Sequence, residues 1–129
     1  MALKKSKLKE LLEQFSRLFV PEEILAHFEV TGLEQGDQII VIALVEKDDV
    51  HHIPKAILHD GKSVRDGYMN TVEIQTFPAQ GKEVFLRLKR RRWKKKGTTK
   101  GYHNTYDFID SGMKATRAFG AFLKEIGRE

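Results

Sequence analysis

Residues 82–100 constrain this chain more than any other stretch. They read KEVFLRLKRRRWKKKGTTK, with ten Lys or Arg and one acid, Glu83. The stretch carries +9 while the whole chain carries +5, so the other 110 residues are net −4. The chain is net basic only because of this stretch; outside it the protein is mildly acidic. Val84, Phe85, Leu86, Leu88 and Trp93 interrupt the charge. The stretch therefore reads as a strand running out of a core into a cationic tip, not as a disordered tail.

The rest of the composition sets bounds. A length of 129 residues suits one domain, and 40% hydrophobic residues, eight of them Phe, suffice for a single core. A charged content of 32% calls for a well-solvated surface. The absence of cysteine excludes disulfides, thiolate metal sites and Cys nucleophiles, and fits a reducing compartment. No apolar run approaches the ~18 residues of a membrane span. The basic start is not followed by the apolar run of a signal peptide. A cytoplasmic protein with no membrane association is the expectation.

Taken in order, residues 1–20 read as a helix, with Leu8, Leu11, Leu12, Phe15, Leu18 and Phe19 on one face. Lys4, Lys5, Lys7 and Lys9 oppose the helix dipole at its N-terminus, so the first turn should fray. Pro21 ends this helix and opens a short second one carrying Ile24, Leu25 and Phe28. Core packing is the expectation for both helices; an exposed Leu/Phe stripe would point to a partner instead. Residues 28–33 and 38–46 read as a β-hairpin closed by the turn 34–37. The second of these strands, QIIVIALVE, is apolar on both faces and belongs in the middle of a sheet.

Residues 46–70 read as an irregular crossing with one helical turn near 53–58. Residues 71–77 alternate as a strand, and Pro78 and Gly81 mark a turn. Residues 82–93 follow as a strand with Val84, Leu86 and Leu88 on one face and Phe85, Arg87 and Lys89 on the other. Residues 97–101 read as a hairpin tip and 102–109 as a returning strand, so that the pair projects as a basic β-ribbon. Asp110 and Ser111 offer an N-cap for a final helix carrying Ala115, Phe119, Phe122, Leu123 and Ile126, with Gly127 at its C-cap. The expected fold is α+β: a small antiparallel β-sheet with an N-terminal helix pair and a C-terminal helix, in a single domain over 1–129. Its parts are a helical segment 1–27, a β-rich segment 28–109 and a C-terminal helix 110–129.

Little in the chain supports catalysis. Ser16, Ser63 and Ser111 lie in no nucleophile-elbow context, and no phosphate-binding glycine loop is present. The pairs Glu22–Glu23 and Asp48–Asp49 are sequence neighbours and do not face a shared substrate. His51, His52 and His59, near Asp48, Asp49 and Asp60, match no zinc spacing, and adjacent residues of an extended chain point opposite ways. No enzyme activity, cofactor or metal is expected, and these histidines read as part of an acidic, partly exposed loop.

The basic run supports nucleic-acid binding, because Lys and Arg neutralise phosphates and a two-stranded β-ribbon fits the major groove. The expected contact residues are Arg87, Lys89, Arg90, Arg91, Arg92, Trp93, Lys94, Lys95, Lys96 and Lys100. Trp93 can stack on a base or anchor the strand; packing is the expectation for it.

The run VEIQTFPAQGKEVFLRLKRRRW, followed by MKATRAFGAFLKEIGR, resembles the N-terminal region of certain bacterial insertion-sequence transposases. The resemblance spans residues 11–129 and is sharpest over 77–93 and 116–128. In such elements this region is often a separate small reading frame that lacks the acidic-triad catalytic domain. The resemblance implies recognition of terminal inverted repeats in double-stranded DNA, assembly with a catalytic transposase subunit, and residues 89–93 as the contact strand. Related transposases carry a zinc finger at the matching place. This chain has no Cys pairs, so Leu86, Leu88, Trp93 and Tyr106 are expected to hold the fold instead. The alternatives are a protein-interaction or assembly module with a basic surface, including a homodimer through the first helix, and an RNA or single-strand binder.

Overall fold

The computed structural model describes residues 4–59 and 61–127. Met1 to Leu3, Asp60, Arg128 and Glu129 lie outside them, and with them the expected start of the first helix and the Asp60 carboxylate.

The fold is α+β. Four strands form one sheet: β1 (Phe28–Gln35), β2 (Ile39–Glu46), β4 (Val72–Ala79) and β5 (Lys82–Lys89), in the order β1-β2-β5-β4. A separate two-stranded ribbon pairs β3 (Ser63–Tyr68) with β6 (Arg91–Lys95). The helices are α1 (Lys5–Ser16), α2 (Glu22–Leu25), α3 (Lys55–Leu58), α4 (Asp107–Asp110) and α5 (Arg117–Ile126), with a 3-10 turn at Val50–His52.

β2 is an interior strand, as its apolar composition requires. It runs antiparallel to β1 and parallel to β5, with Ile40, Ile42 and Leu44 opposite Val84, Leu86 and Leu88. That parallel pair is the exception in a mostly antiparallel sheet. It arises because residues 47–81 cross from one end of the sheet to the other before β5 begins. β4 and β5 form a hairpin with Ile74 opposite Leu86. Its two loop residues, Gln80 and Gly81, both have positive φ, the geometry of a type I′ turn. Pro78 sits at the irregularity beside that turn, where no ladder hydrogen bond is lost.

One face of the sheet is the core. Phe28, Ile40, Ile42, Leu44, Ile74, Val84, Leu86 and Leu88 are buried there beneath Val20, Ile24, Phe108 and Ile109. Phe28 meets the Tyr106 and Phe108 rings edge-on, at 5.4 and 5.9 Å between centroids. Leu86 and Leu88 hold the sheet as expected, and Tyr106 packs against the same core.

Several elements differ from the sequence expectation. The returning strand over 102–109 does not form. Tyr102 makes one bridge to Trp93, and residues 107–110 are helical. Helical geometry buries the consecutive residues Phe108 and Ile109, which a strand would send to opposite faces. The ribbon partner of β6 is instead β3, from the stretch expected to be irregular. The C-terminal helix starts after Thr116 rather than at residue 111. Asp110 closes α4, Gly112 turns the chain with φ 76°, and Lys114–Thr116 run along the open edge of β4. The Thr116 hydroxyl then caps α5 by accepting from the Phe119 N–H at 3.4 Å, and Gly127 is its C-cap as expected.

α1 departs most from expectation. None of its residues is buried. Leu8, Leu11, Leu12, Phe15 and, just beyond the helix, Leu18 and Phe19 are all exposed. α2, by contrast, buries Ile24 fully in the core.

Candidate nucleic-acid interface

The sheet delivers the basic stretch in two pieces. β5 carries Val84, Leu86 and Leu88 inward, which leaves Phe85, Arg87 and Lys89 on the opposite, half-covered face. The strand then breaks at Arg90, and β6 leaves the main sheet to pair with β3, Arg65 opposite Trp93 and Ser63 opposite Lys95.

The break is built around a buried carboxylate. In β2 the inward positions are Ile40, Ile42, Leu44 and then Glu46, which is completely buried. An acid in that company needs every oxygen satisfied. Glu46 accepts from the Arg91 N–H at 2.9 Å, from the Asn104 amide at 3.0 Å and from the Tyr106 hydroxyl. Arg91 also donates from Nε to the Glu46 carbonyl at 2.8 Å. One side chain thus fixes the start of β6 and the segment returning from the ribbon tip. Burial pushes the Tyr106 hydroxyl well above its ordinary pKa, and its hydrogen bond to Glu46 acts in the same direction.

Arg90 fills the corner. Its side chain is 9% exposed and donates to both Asp110 oxygens at 3.0 Å and to the Asn104 carbonyl at 2.8 Å. Burial alone would raise the Asp110 carboxyl. The Tyr106 N–H and the Arg90 guanidinium outweigh it and hold that carboxyl below its ordinary value. Trp93, 4% exposed, is buried as expected, paired with Arg65 and bridged to Tyr102.

The ten expected contact residues therefore divide. Arg90 and Trp93 face inward. Arg91 is mostly covered and holds Glu46, with Asp48 at 4.0 Å. Arg87 lies on the open sheet face in ion pairs with Glu73 (3.2 Å) and Glu34 (3.6 Å). Lys89 places its ammonium 4.2 Å from the centre of the Tyr68 ring. Arg92 and Lys94, two residues apart, share the outer face of β6; Asp66 of β3 lies 3.7 and 3.9 Å from them. Lys96 and Lys100 are exposed at the tip, with Lys100 5.2 Å from the centre of the Tyr102 ring, and Lys95 is half-covered. The Arg92 guanidinium also lies against Gly101, where a Cβ would meet its Nε at 2.4 Å.

Sequence reasoning missed β3 and what it brings. Lys62 and Arg65 are exposed cations beside the basic strand, and Tyr68 is an exposed ring under Lys89 and Arg91. It also missed Glu46 as the organiser, although an acid in register with Ile40, Ile42 and Leu44 is a visible signal.

The expected loop histidines part, and His52 meets His27 instead. His51 is exposed and His52 buried, although the two lie in a 3-10 turn and not in the extended chain expected. His52 Nδ1 lies 2.6 Å from Asp49 Oδ1, and its Nε2 lies 3.0 Å from His27 Nδ1. Burial first, and then the neighbouring His52, lowers the His27 pKa. Among the described residues no group of three or more His, Asp or Glu side chains is arranged to hold a metal ion. No helix among them is long and apolar enough to cross a membrane. No family model, curated protein or solved structure matches the chain.

Proposed function

We propose that this protein is a DNA-binding module without chemistry of its own, and that the β3–β6 ribbon is its contact element. The observation that carries the reading is the division of the basic stretch. Arg90, Trp93 and the Glu46 network hold the ribbon, while Arg92, Lys94, Lys96 and Lys100 face solvent. A solvated charge run needs no such scaffold. Five residues of β6 extend roughly 17 Å as a strand, and a two-stranded ribbon fits a major groove about 12 Å wide. The outward cations would neutralise phosphates and release counterions. Asp66 tempers but does not cancel them.

The resemblance to the N-terminal region of insertion-sequence transposases supports a specific form of this reading. The duplex would be the terminal inverted repeat of the element, and a separate catalytic subunit would supply strand cleavage and joining. The test is titration of labelled terminal-repeat duplex, scrambled duplex, single strand and RNA of equal length. Preference for the terminal-repeat duplex is expected. Equal affinity for both duplexes removes the sequence-directed part, and preference for single strand or RNA replaces the reading with that of an RNA or single-strand binder.

A further inference from the structure

We propose that α1 is a dimerisation element, which packs antiparallel on α1 of a second copy of this chain. The proposal does not depend on what the basic ribbon binds.

The argument begins with a helix that has no local reason to be stable. α1 is 12 residues long, which is marginal for an isolated helix in water. Lys4 at its N-cap position makes no side-chain cap, and no acid stands in the first turn to offset the lysines. Among the described residues none of the helix is buried by its own chain. Leu12 is 58% exposed, Phe15 54% and Leu18 72%. A cleft of about 740 Å³ separates α1 from the body, with Leu12 and Glu13 on one side and Glu29 and Val30 on the other. An amphipathic helix held off its own core is stabilised when another surface covers its apolar stripe.

Charge selects the second copy and its direction. Lys4, Lys5, Lys7 and Lys9 occupy one end of the helix, and Glu10 and Glu13 follow. Among the described residues none of these six enters an ion pair, and neither does Glu29 across the cleft. A parallel pair would set four lysines against four. An antiparallel pair sets the lysine turn of each copy beside Glu13 and Glu29 of the other, and the twofold axis satisfies both ends together. A specific interface needs roughly 1,000 Å² in total, so each copy's stripe and its lysine stems would have to bury about half of that.

Sedimentation equilibrium of the full chain tests this. A species of twice the 14.9 kDa chain mass is expected at micromolar concentration. The double variant Leu12→Glu, Phe15→Glu should be monomeric, with Trp93 fluorescence and the sheet's circular dichroism unchanged. Lys7→Glu with Lys9→Glu should weaken the dimer about tenfold. Adding Glu10→Lys and Glu13→Lys to that chain should restore it, which a structural defect would not do. A monomer at every concentration overturns the proposal, as does a dimer that survives Leu12→Glu, Phe15→Glu. Equally, if the chain stays monomeric and α1 instead mediates binding to anionic phosphatidylserine vesicles, the stripe is a membrane contact and the proposal fails.

Discussion

Arg90 and Arg92 are two residues apart in a run of cations, yet they do opposite work. Arg90 is enclosed with Asp110 and Asn104, whereas Arg92 faces solvent beside Asp66. Removing one partner of a buried pair strands the other, at ~3–5 kcal/mol when both are enclosed. Asp110 is 39% exposed and can rehydrate, so Arg90→Ala should cost about 2 kcal/mol. Arg92→Ala should leave stability unchanged. Urea titration followed by Trp93 fluorescence checks both. His27 gives a pH signature. Its pKa is lowered from 6.5 by burial and by His52, so near that pH the unfolded chain binds more protons than the folded one. Stability therefore rises with pH through this window and is lost as pH falls below 6.5. The melting temperature should drop on acidification from slightly alkaline pH, and His27→Gln should flatten that slope.

At the scale of elements, the chain's own patterning identifies β1, β2, β4 and β5, because alternation and turn residues are local signals. It does not reveal that β2 lies parallel to β5, since pairing between residues 40 and 84 leaves no mark near either. β3 was illegible for another reason: SVRDGY has no apolar alternation, and its strand character comes from pairing with β6. YDF alternates like a strand, but the segment turns helical: Phe108 and Ile109 are both buried, and Asp110 accepts from the Tyr106 N–H at 2.7 Å. Of the basic stretch, the packing role of Trp93 was legible, but the inward turn of Arg90 and Arg91 was not. Six cations in seven residues look alike until the break at Arg90 selects which turn inward. The α1 stripe was visible too, but not that the fold leaves it uncovered. Two variants separate these elements. Leu86→Ala empties a fully buried site between β2 and β4 and should cost ~2–5 kcal/mol. Deleting residues 1–16 should leave the urea midpoint nearly unchanged at concentrations where the chain is monomeric, because α1 buries nothing of its own.

The whole molecule is an α+β body whose core face supplies stability and whose separate ribbon is the proposed contact element. It joins the two through Glu46 and Arg90. The central claim is that the basic stretch holds a scaffold and a binding surface side by side. The direct test is the salt dependence of duplex binding for the wild type and for Arg92→Ala, Lys94→Ala, Lys96→Ala. The account predicts tight binding that falls steeply with salt. It also predicts a slope shallower by about one unit per cation removed in the triple variant, with an unchanged urea midpoint. Equal slopes for the two proteins, or no binding of duplex at moderate salt, would contradict it.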